Sequence, residues 1–311
     1  MMSENNIKDV IIVGGGPAGL AAAVYTGRDR FSTLILEKMT VGGQMFTTWD
    51  VENYPGFEEI TGPDLSGKFE NHARKFGAQF EMMAEVTDIV KGDDGIFTIT
   101  TTEEEYKART VLVATGATWN HLGIPGEEEL GGRGVSYCAT CDGAFFKNME
   151  IMVVGGGNTA LDEGLFLTKF ASKVTLIHRR DELRGDKILQ ERFLAHEKTE
   201  ILWSTIPEEI IGENGVEKVR VKNVKTGESY DVEVRGVFIF IGNTPNTELF
   251  KGKLEMDQWG GIKVDNFGST SVEGIFAAGD CIADAPRQIA VSVGDGVRAA
   301  LGIKAYLEKS H

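Results

Sequence analysis

Cysteine is scarce in this chain: of 311 residues only Cys138, Cys141 and Cys281 are thiols. Three are too few to staple a chain of this length, so a secreted scaffold held by disulfides is excluded. Five scattered histidines, His72, His121, His178, His196 and His311, put no second pair at short spacing beside the cysteines, and a zinc half-site would lack its other half. Cations are also in deficit. Against 47 Asp and Glu stand 32 Lys and Arg, a formal charge of −15 that argues against nucleic acid or an anionic membrane as a partner. No apolar run approaches the ~20 residues of a membrane span; the longest are short segments such as Val111 to Ala114 and Val237 to Ile241. Met1 to Asp9 is polar and acidic where a secretory signal would be basic and then apolar, so a reducing cytoplasm is the expected compartment. Proline, with 7 residues against 39 glycines, is rare enough to suggest many tight turns and close backbone approaches instead.

What is present is enough chain for two domains, each with its own core. Two of the three thiols fall together in Tyr137-Cys138-Ala139-Thr140-Cys141-Asp142-Gly143, beside an acid. Two cysteines separated by two residues can close a small disulfide ring, and in such a pair the neighbouring thiol and local dipoles stabilise a thiolate. A thiol with a pKa of ~8.5 is only a few per cent ionised at neutral pH, whereas one near ~7 is about half ionised. Asp142, once desolvated, is placed to hold a proton for a departing thiolate. A redox-active dithiol is therefore the reading, over zinc, a structural disulfide or an inert buried pair. It requires an electron source elsewhere in the chain.

Asp9 to Val13 is a short β-branched run that breaks into Gly14-Gly15-Gly16-Pro17-Ala18-Gly19, and Leu20 to Arg28 reads as an Ala-rich helix. The spacing Gly14-x-Gly16-x-x-Gly19 suits a sharp turn, close approach to a pyrophosphate and tight helix–strand packing. The next strand, Ser32 to Leu36, ends in Glu37, at roughly the 20-residue spacing expected of an acid that binds an unphosphorylated ribose. Val41 to Gln44 and Val51 to Gly56 read as loops, and Leu65 to Phe76 as a helix opened by Thr61-Gly62-Pro63. Val86 to Ile89, Gly95 to Thr101 and Glu105 to Lys107 alternate as an antiparallel meander, followed by a separate buried strand from Val111 to Ala117.

A second unit of the same kind begins after the cysteines. Glu150 to Val154 leads into Gly155-Gly156-Gly157-Asn158-Thr159-Ala160 and a helix to Phe170, but the strand Lys173 to Ile177 ends in His178-Arg179-Arg180, with Arg184 close behind. A 2′-phosphate is repelled by an acid and needs cations. Charge-assisted hydrogen bonds contribute about 1.5–3 kcal/mol each, so two arginines can favour NADPH over NADH by ~100-fold or more. The chain thus carries two dinucleotide sites of opposite charge, which FAD and NADPH fit. Glu200 to Arg235 reads as short strands, with turns at Glu213-Asn214-Gly215 and Thr226-Gly227-Glu228. Gly242 to Asn246 reads as a return linker, Gly274 to Ala278 as a strand before Gly279-Asp280, and the chain closes in a helix to Leu307.

With these motifs in place, the whole chain closely resembles the low-molecular-weight thioredoxin reductases of the pyridine nucleotide-disulfide oxidoreductase family. The shared features are Gly14 to Gly19, Gly42-Gly43-Gln44, the Cys138 to Gly143 stretch, Gly155 to Ala160, His178-Arg179-Arg180 with Arg184, Gly279-Asp280 and Arg287-Gln288. The resemblance implies an α/β protein with two Rossmann-like three-layer dinucleotide-binding domains, each with an added antiparallel β-meander. Residues 1–117 and 245–311 would form the FAD domain, and 118–244 an inserted NADPH domain carrying the cysteine pair; the active form would be a homodimer. Around FAD it implies Gly14, Gly16, Pro17, Ala18 and Gly19 at the pyrophosphate, Glu37 on the ribose, Gly43, Gln44 and Asn53 near the flavin, and further contacts from Val86, Thr115 and Gly116. Gly279 and Asp280 would bind the ribityl or phosphate region, with Arg287, Gln288 and Ala290 beside the ring. NADPH would take Gly155, Gly157, Asn158, Thr159, His178, Arg179, Arg180 and Arg184. Cys141 would face the flavin and Cys138 would attack the substrate disulfide, with Asp142 as acid and base. Cys281 has no matching role and reads as a small buried residue near the flavin. Leu183 replaces a frequent aromatic and Asn243 a frequent His.

The implied reaction is reduction of thioredoxin or a thioredoxin-like protein. The inserted domain is expected to rotate on linkers near Ala117 to Leu122 and Gly242 to Asn246. Two rival readings fit the chain less well. A reductase of a peroxiredoxin system usually carries an extra N-terminal segment, whereas eight residues precede the first strand here; a flavin dithiol oxidase needs no NADPH and hence no second glycine motif with arginines. The large disulfide reductases carry cysteines soon after the ribose-binding acid, and Lys38 to Trp49 has none.

Overall fold

The structure, a computed structural model, describes residues 7–48 and 50–309, apart from the side chains of Asp50, Thr140 and Cys141. The chain separates into two compact units, Met1–Thr118 with Thr244–His311, and Trp119–Asn243.

In the first unit the strand Ile7–Val13 is central. Val10, Ile11 and Ile12 are fully buried, as strands covered on both faces must be. It pairs in parallel with Thr33–Glu37 and with Glu105–Val113. Gln79–Met82 adds a parallel edge to Thr33–Glu37, while Phe97–Thr101 and Val86–Lys91 continue the sheet antiparallel. Side chains alternate between two cores. Val10, Ile12 and Leu112 join the helices Pro17–Arg28 and Ile289–Lys309 on one face. Ile11, Val13, Val111 and Val113 join Phe97, Phe250 and Ile262 on the other. The helices approach closely enough that a Cβ on Gly296 would lie 2.1 Å from the Ala18 carbonyl oxygen.

The expected separate strands Glu105 to Lys107 and Val111 to Ala117 are a single nine-residue strand, Glu105–Val113. Its burial alternates at first and is then continuous because its neighbour changes. Ala108 pairs antiparallel with Phe97, whereas Val111 to Val113 pair in parallel with Ile275–Ala277. The third helix, Gly62–Lys75, starts three residues before the expected Leu65, capped by the Thr61 hydroxyl accepting from Asp64 N at 3.2 Å.

The second unit has a five-stranded parallel sheet in the order Val135–Ser136, Gly236–Phe240, Glu150–Gly155, Lys173–His178 and Thr199–Trp203 among the described residues. One face packs Leu161, Leu167 and Phe193 from the helices Asn158–Leu167 and Lys187–Ala195. The other face is covered by an antiparallel meander, Thr205–Ile211, Lys218–Asn223 and Ser229–Glu233, through Ile210, Val219 and Val221. No described helix is long and apolar enough to cross a membrane.

Leu112 is fully buried in the first core, so Leu112→Ala is expected to lower unfolding stability by about 2–5 kcal/mol in urea titrations. A loss below about 0.5 kcal/mol, the level of an exposed substitution, would contradict this packing.

Candidate active site

The first glycine turn is shaped by what a side chain would strike. Gly14 has φ +109°, and a Cβ there would lie 2.3 Å from the Ala114 carbonyl oxygen. Gly19 lets the helix settle on the turn, where a Cβ would come 2.1 Å from Gly14 O. Gly16 is the N-cap of Pro17–Arg28 with no side-chain cap, and a Cβ on it meets nothing within 4 Å. The first-turn N–H groups thus face open space with the positive end of the helix dipole behind them, which suits an anion. Glu37 stands opposite. Its Oε2 accepts from Gly15 N at 2.7 Å and its Oε1 from Met39 N at 2.8 Å, so it braces the turn while keeping lone pairs for ribose hydroxyls. Open glycine, uncapped helix and braced acid together fit the pyrophosphate and ribose of a flavin dinucleotide.

Other predicted residues of this unit converge from distant parts of the chain. Asn53 donates to Gln288 Oε1 at 3.1 Å, and Gln44 donates to Ala117 O at 2.6 Å, beside Thr115 and Gly116. Thr115 is held by Asn246, which accepts its hydroxyl at 2.7 Å and donates to its carbonyl at 3.0 Å. Gly279, at φ +78°, delivers Asp280, whose Oδ1 accepts from Ser292 at 3.1 Å. Burial pushes the Asp280 carboxyl above the usual range and Asp295 adds to that, while Ser292 and Arg287 oppose it. Gly43 packs near the Gly16 Cα, Arg287 and Ala290 are exposed, and Val86 packs against the second core of the sheet. Cys281 is fully buried, burial pushes its thiol up to about 11, and its Sγ donates to Val113 and Ala278 carbonyls. The sequence motifs do not point to Ser292, Asp295 or Asn246. A hydroxyl and an acid within a helix carry no local signal; only Asn246, in a Pro-Asn turn, had one.

The second turn repeats the device. A Cβ on Gly155 would lie 2.4 Å from Phe240 O, and Gly157 caps the helix Asn158–Leu167 with nothing within 4 Å of its Cβ position. Thr159 follows in the first turn, exposed. Arg179, Arg180 and Arg184 are exposed, and no acid among the described residues pairs with them. His178 is buried, with Nδ1 2.7 Å from Gly155 O. Leu183 turns into the core with Leu161 and Phe193. Uncapped helix and unpaired guanidiniums fit a phosphorylated dinucleotide.

In the same unit Cys138 is disulfide-bonded, in contrast to the free Cys281. Ser136 Oγ accepts from Cys138 N at 3.0 Å and donates to Cys138 O at 3.1 Å, and Asp142 N donates to Cys138 O at 3.3 Å. The backbone of Cys141 lies in the short helix Ala139–Asp142; its side chain is outside the described residues. Tyr137, preceding Cys138, donates to the buried Glu127, which also accepts from Leu122 N at 2.9 Å and Gly123 N at 2.7 Å. Phe145 is exposed beside this segment.

A family model described as pyridine nucleotide-disulphide oxidoreductase matches residues 8–296. The chain belongs to that family and is an oxidoreductase, whose members use flavin and nicotinamide cofactors. It is 49% identical over 309 residues to a thioredoxin reductase of Bacillus subtilis, covering 99% of this chain and 97% of that protein. Among solved structures it is similar to thioredoxin reductase of Lactococcus lactis, with a TM-score of 0.95, 44% identity and coverage of 97% of this chain and 99% of that one. The enzyme of T. acidophilum matches with a TM-score of 0.93 at 37% identity, over 98% of this chain and all of that one.

Because burial raises the Asp280 pKa, folding favours its protonated form. That contribution is complete below about pH 4 and is lost as pH rises through the raised pKa. Asp280→Asn keeps an acceptor for Ser292 without the charge. In flavin-stripped protein it should be more stable than the parent at pH 7, with the difference vanishing near pH 4 in denaturant titrations; a difference independent of pH would contradict the assignment.

Proposed function

We propose that the enzyme is an NADPH-dependent thioredoxin-disulfide reductase that carries FAD in its first unit and acts as a cytoplasmic homodimer. The observation that carries this reading is one chain with two open glycine turns, Glu37 bonded to one and exposed Arg179 with Arg180 ending the strand that follows the other, together with a disulfide at Cys138. High identity to named thioredoxin reductases over nearly the whole chain supports thioredoxin as the partner.

When bound, the nicotinamide and the flavin supply the hydride and electron chemistry that returns the cysteine pair to dithiols. The chain supplies the rest. Glu37 accepts hydrogen bonds from ribose hydroxyls that carry no phosphate, and Arg179 and Arg180 take the 2′-phosphate by charge-assisted hydrogen bonds. Cys138, as thiolate, attacks one sulfur of the partner disulfide, forming a mixed disulfide and releasing the other sulfur as thiolate. Cys141 then attacks Cys138, closing the Cys138–Cys141 disulfide and releasing the partner in its dithiol form. Asp142, one residue on, exchanges the proton between the resolving thiol and the departing thiolate. Exposed Phe145 offers an apolar contact next to this exchange.

Cys138→Ser should abolish reduction of oxidised thioredoxin while NADPH still bleaches the flavin; loss of both would contradict the roles assigned. Replacing Arg179 and Arg180 together by Gln should lower the NADPH-over-NADH preference in kcat/KM by ~100-fold or more. An unchanged ratio would overturn the 2′-phosphate site.

A further inference from the structure

We infer that His178 is a positioning residue of the nicotinamide-dinucleotide site: a neutral imidazole that holds the second glycine turn in shape from behind and does not touch the 2′-phosphate. The inference rests on the phosphate-site reading above and refines it, because His178 stands in line with Arg179 and Arg180 and would otherwise count as a third cation.

Geometry separates it from the arginines. Arg179, Arg180 and Arg184 are exposed, whereas His178, the last residue of the strand Lys173–His178, is only 4% exposed. Its Nδ1 lies 2.7 Å from the carbonyl oxygen of Gly155. A carbonyl only accepts, so Nδ1 carries the hydrogen and Nε2 is the free lone pair of the neutral tautomer. Nε2 is enclosed and has no hydrogen-bond partner. Adding a proton there would bury a charge, and a ring so enclosed offers no atom to a ligand arriving from solvent. Burial accordingly depresses the imidazole pKa, and Arg184 and Arg180 add to this, against the opposing pull of the backbone at Gly155 and Glu182.

The ring is also what makes the turn a glycine turn. A Cβ on Gly156 would sit 2.3 Å from His178 Nδ1. The imidazole therefore packs against the bare Cα of Gly156 while gripping the carbonyl just before it. From that fixed turn the arginine loop is hung. Gly156 O accepts from Arg184 N at 2.7 Å and from Gly185 N at 3.2 Å. Asn158 accepts from Asp186 N at 2.6 Å and donates to Asp186 Oδ2 at 3.0 Å, so its amide is engaged in the scaffold as well. His178 thus stands at the base of a chain of backbone bonds that sets both the pyrophosphate turn and the cations beyond it.

Binding rather than turnover provides the test. Dissociation constants of NADP+ and NAD+ are measured by titration calorimetry on the flavin-loaded protein, its His178→Leu variant and its His178→Asn variant. The Asn amide nitrogen is attached to Cγ as Nδ1 is, and can donate to Gly155 O, but it cannot become a cation. A positioning role predicts that His178→Leu weakens both nucleotides by a similar factor of about 10, the worth of one hydrogen bond. His178→Asn should restore both. Loss of NADP+ binding in both variants with NAD+ unaffected would identify His178 as a phosphate ligand and overturn the inference, as would normal binding of both nucleotides by both variants. Should His178→Leu fail to fold, His178→Asn alone decides, since only a cationic ligand loses NADP+ selectively when Asn replaces it. The Arg179→Gln, Arg180→Gln double variant runs alongside. An unchanged NADP+ to NAD+ ratio there would remove the phosphate site itself, a failure distinct from any result at His178.

Discussion

Two strand-to-helix turns are built at distances that no side chain tolerates, and the chemistry of the chain depends on them. At Gly14 a Cβ would meet the Ala114 carbonyl at 2.3 Å, and at Gly155 the Phe240 carbonyl at 2.4 Å. In each case the offending carbonyl comes from the neighbouring parallel strand or its end, so the sheet itself presses the turn into place. The outer glycine, Gly16 or Gly157, is by contrast open to solvent. Tight on the inside and bare on the outside is the condition for backbone N–H groups at a helix end to meet a pyrophosphate.

Given two such turns, specificity falls to the residue at the tip of the next strand. At the first it is Glu37, committed through both oxygens to the backbone of Gly15 and Met39. At the second the strand ends in a buried His and exposed arginines. An acid braced by backbone donors cannot swing away from an incoming phosphate, so under the proposed function the first site would discriminate by repulsion as well as by hydrogen bonding. The second would discriminate by attraction, through guanidiniums without acid partners among the described residues.

Much of this was legible in the sequence because glycine spacing and strand-end charge are local signals. The two strand–turn–helix units form where local pattern puts them, with Glu37 closing the strand after the first and the arginines following the strand after the second. Where the sequence misled, the cause was non-local. Glu105–Val113 reads as two strands because its first half borders Phe97–Thr101 and its second half Ile275–Ala277, a neighbour supplied from much later in the chain. The edge strand Gln79–Met82 alternates as Gln-Phe-Glu-Met, but it is only four residues long and largely exposed, too short a pattern to stand out. Glu127 gave no sign that it would be buried under Tyr137, since its partners are the backbone of Leu122 and Gly123 and a phenol ten residues on. Asn53 and Gln288, 235 residues apart, could be joined only by resemblance to a family until the fold brought them within 3.1 Å.

The central claim is an electron path that enters at a phosphorylated nicotinamide dinucleotide and leaves through a cysteine pair to a protein disulfide. It is tested most directly under anaerobic conditions, by mixing the yellow protein with NADPH or with NADH and then adding oxidised thioredoxin while recording the flavin absorbance. The account predicts fast bleaching by NADPH, slow bleaching by NADH, and return of the yellow colour on adding thioredoxin. Bleaching that thioredoxin does not reverse, or equal bleaching by the two nucleotides, would contradict it.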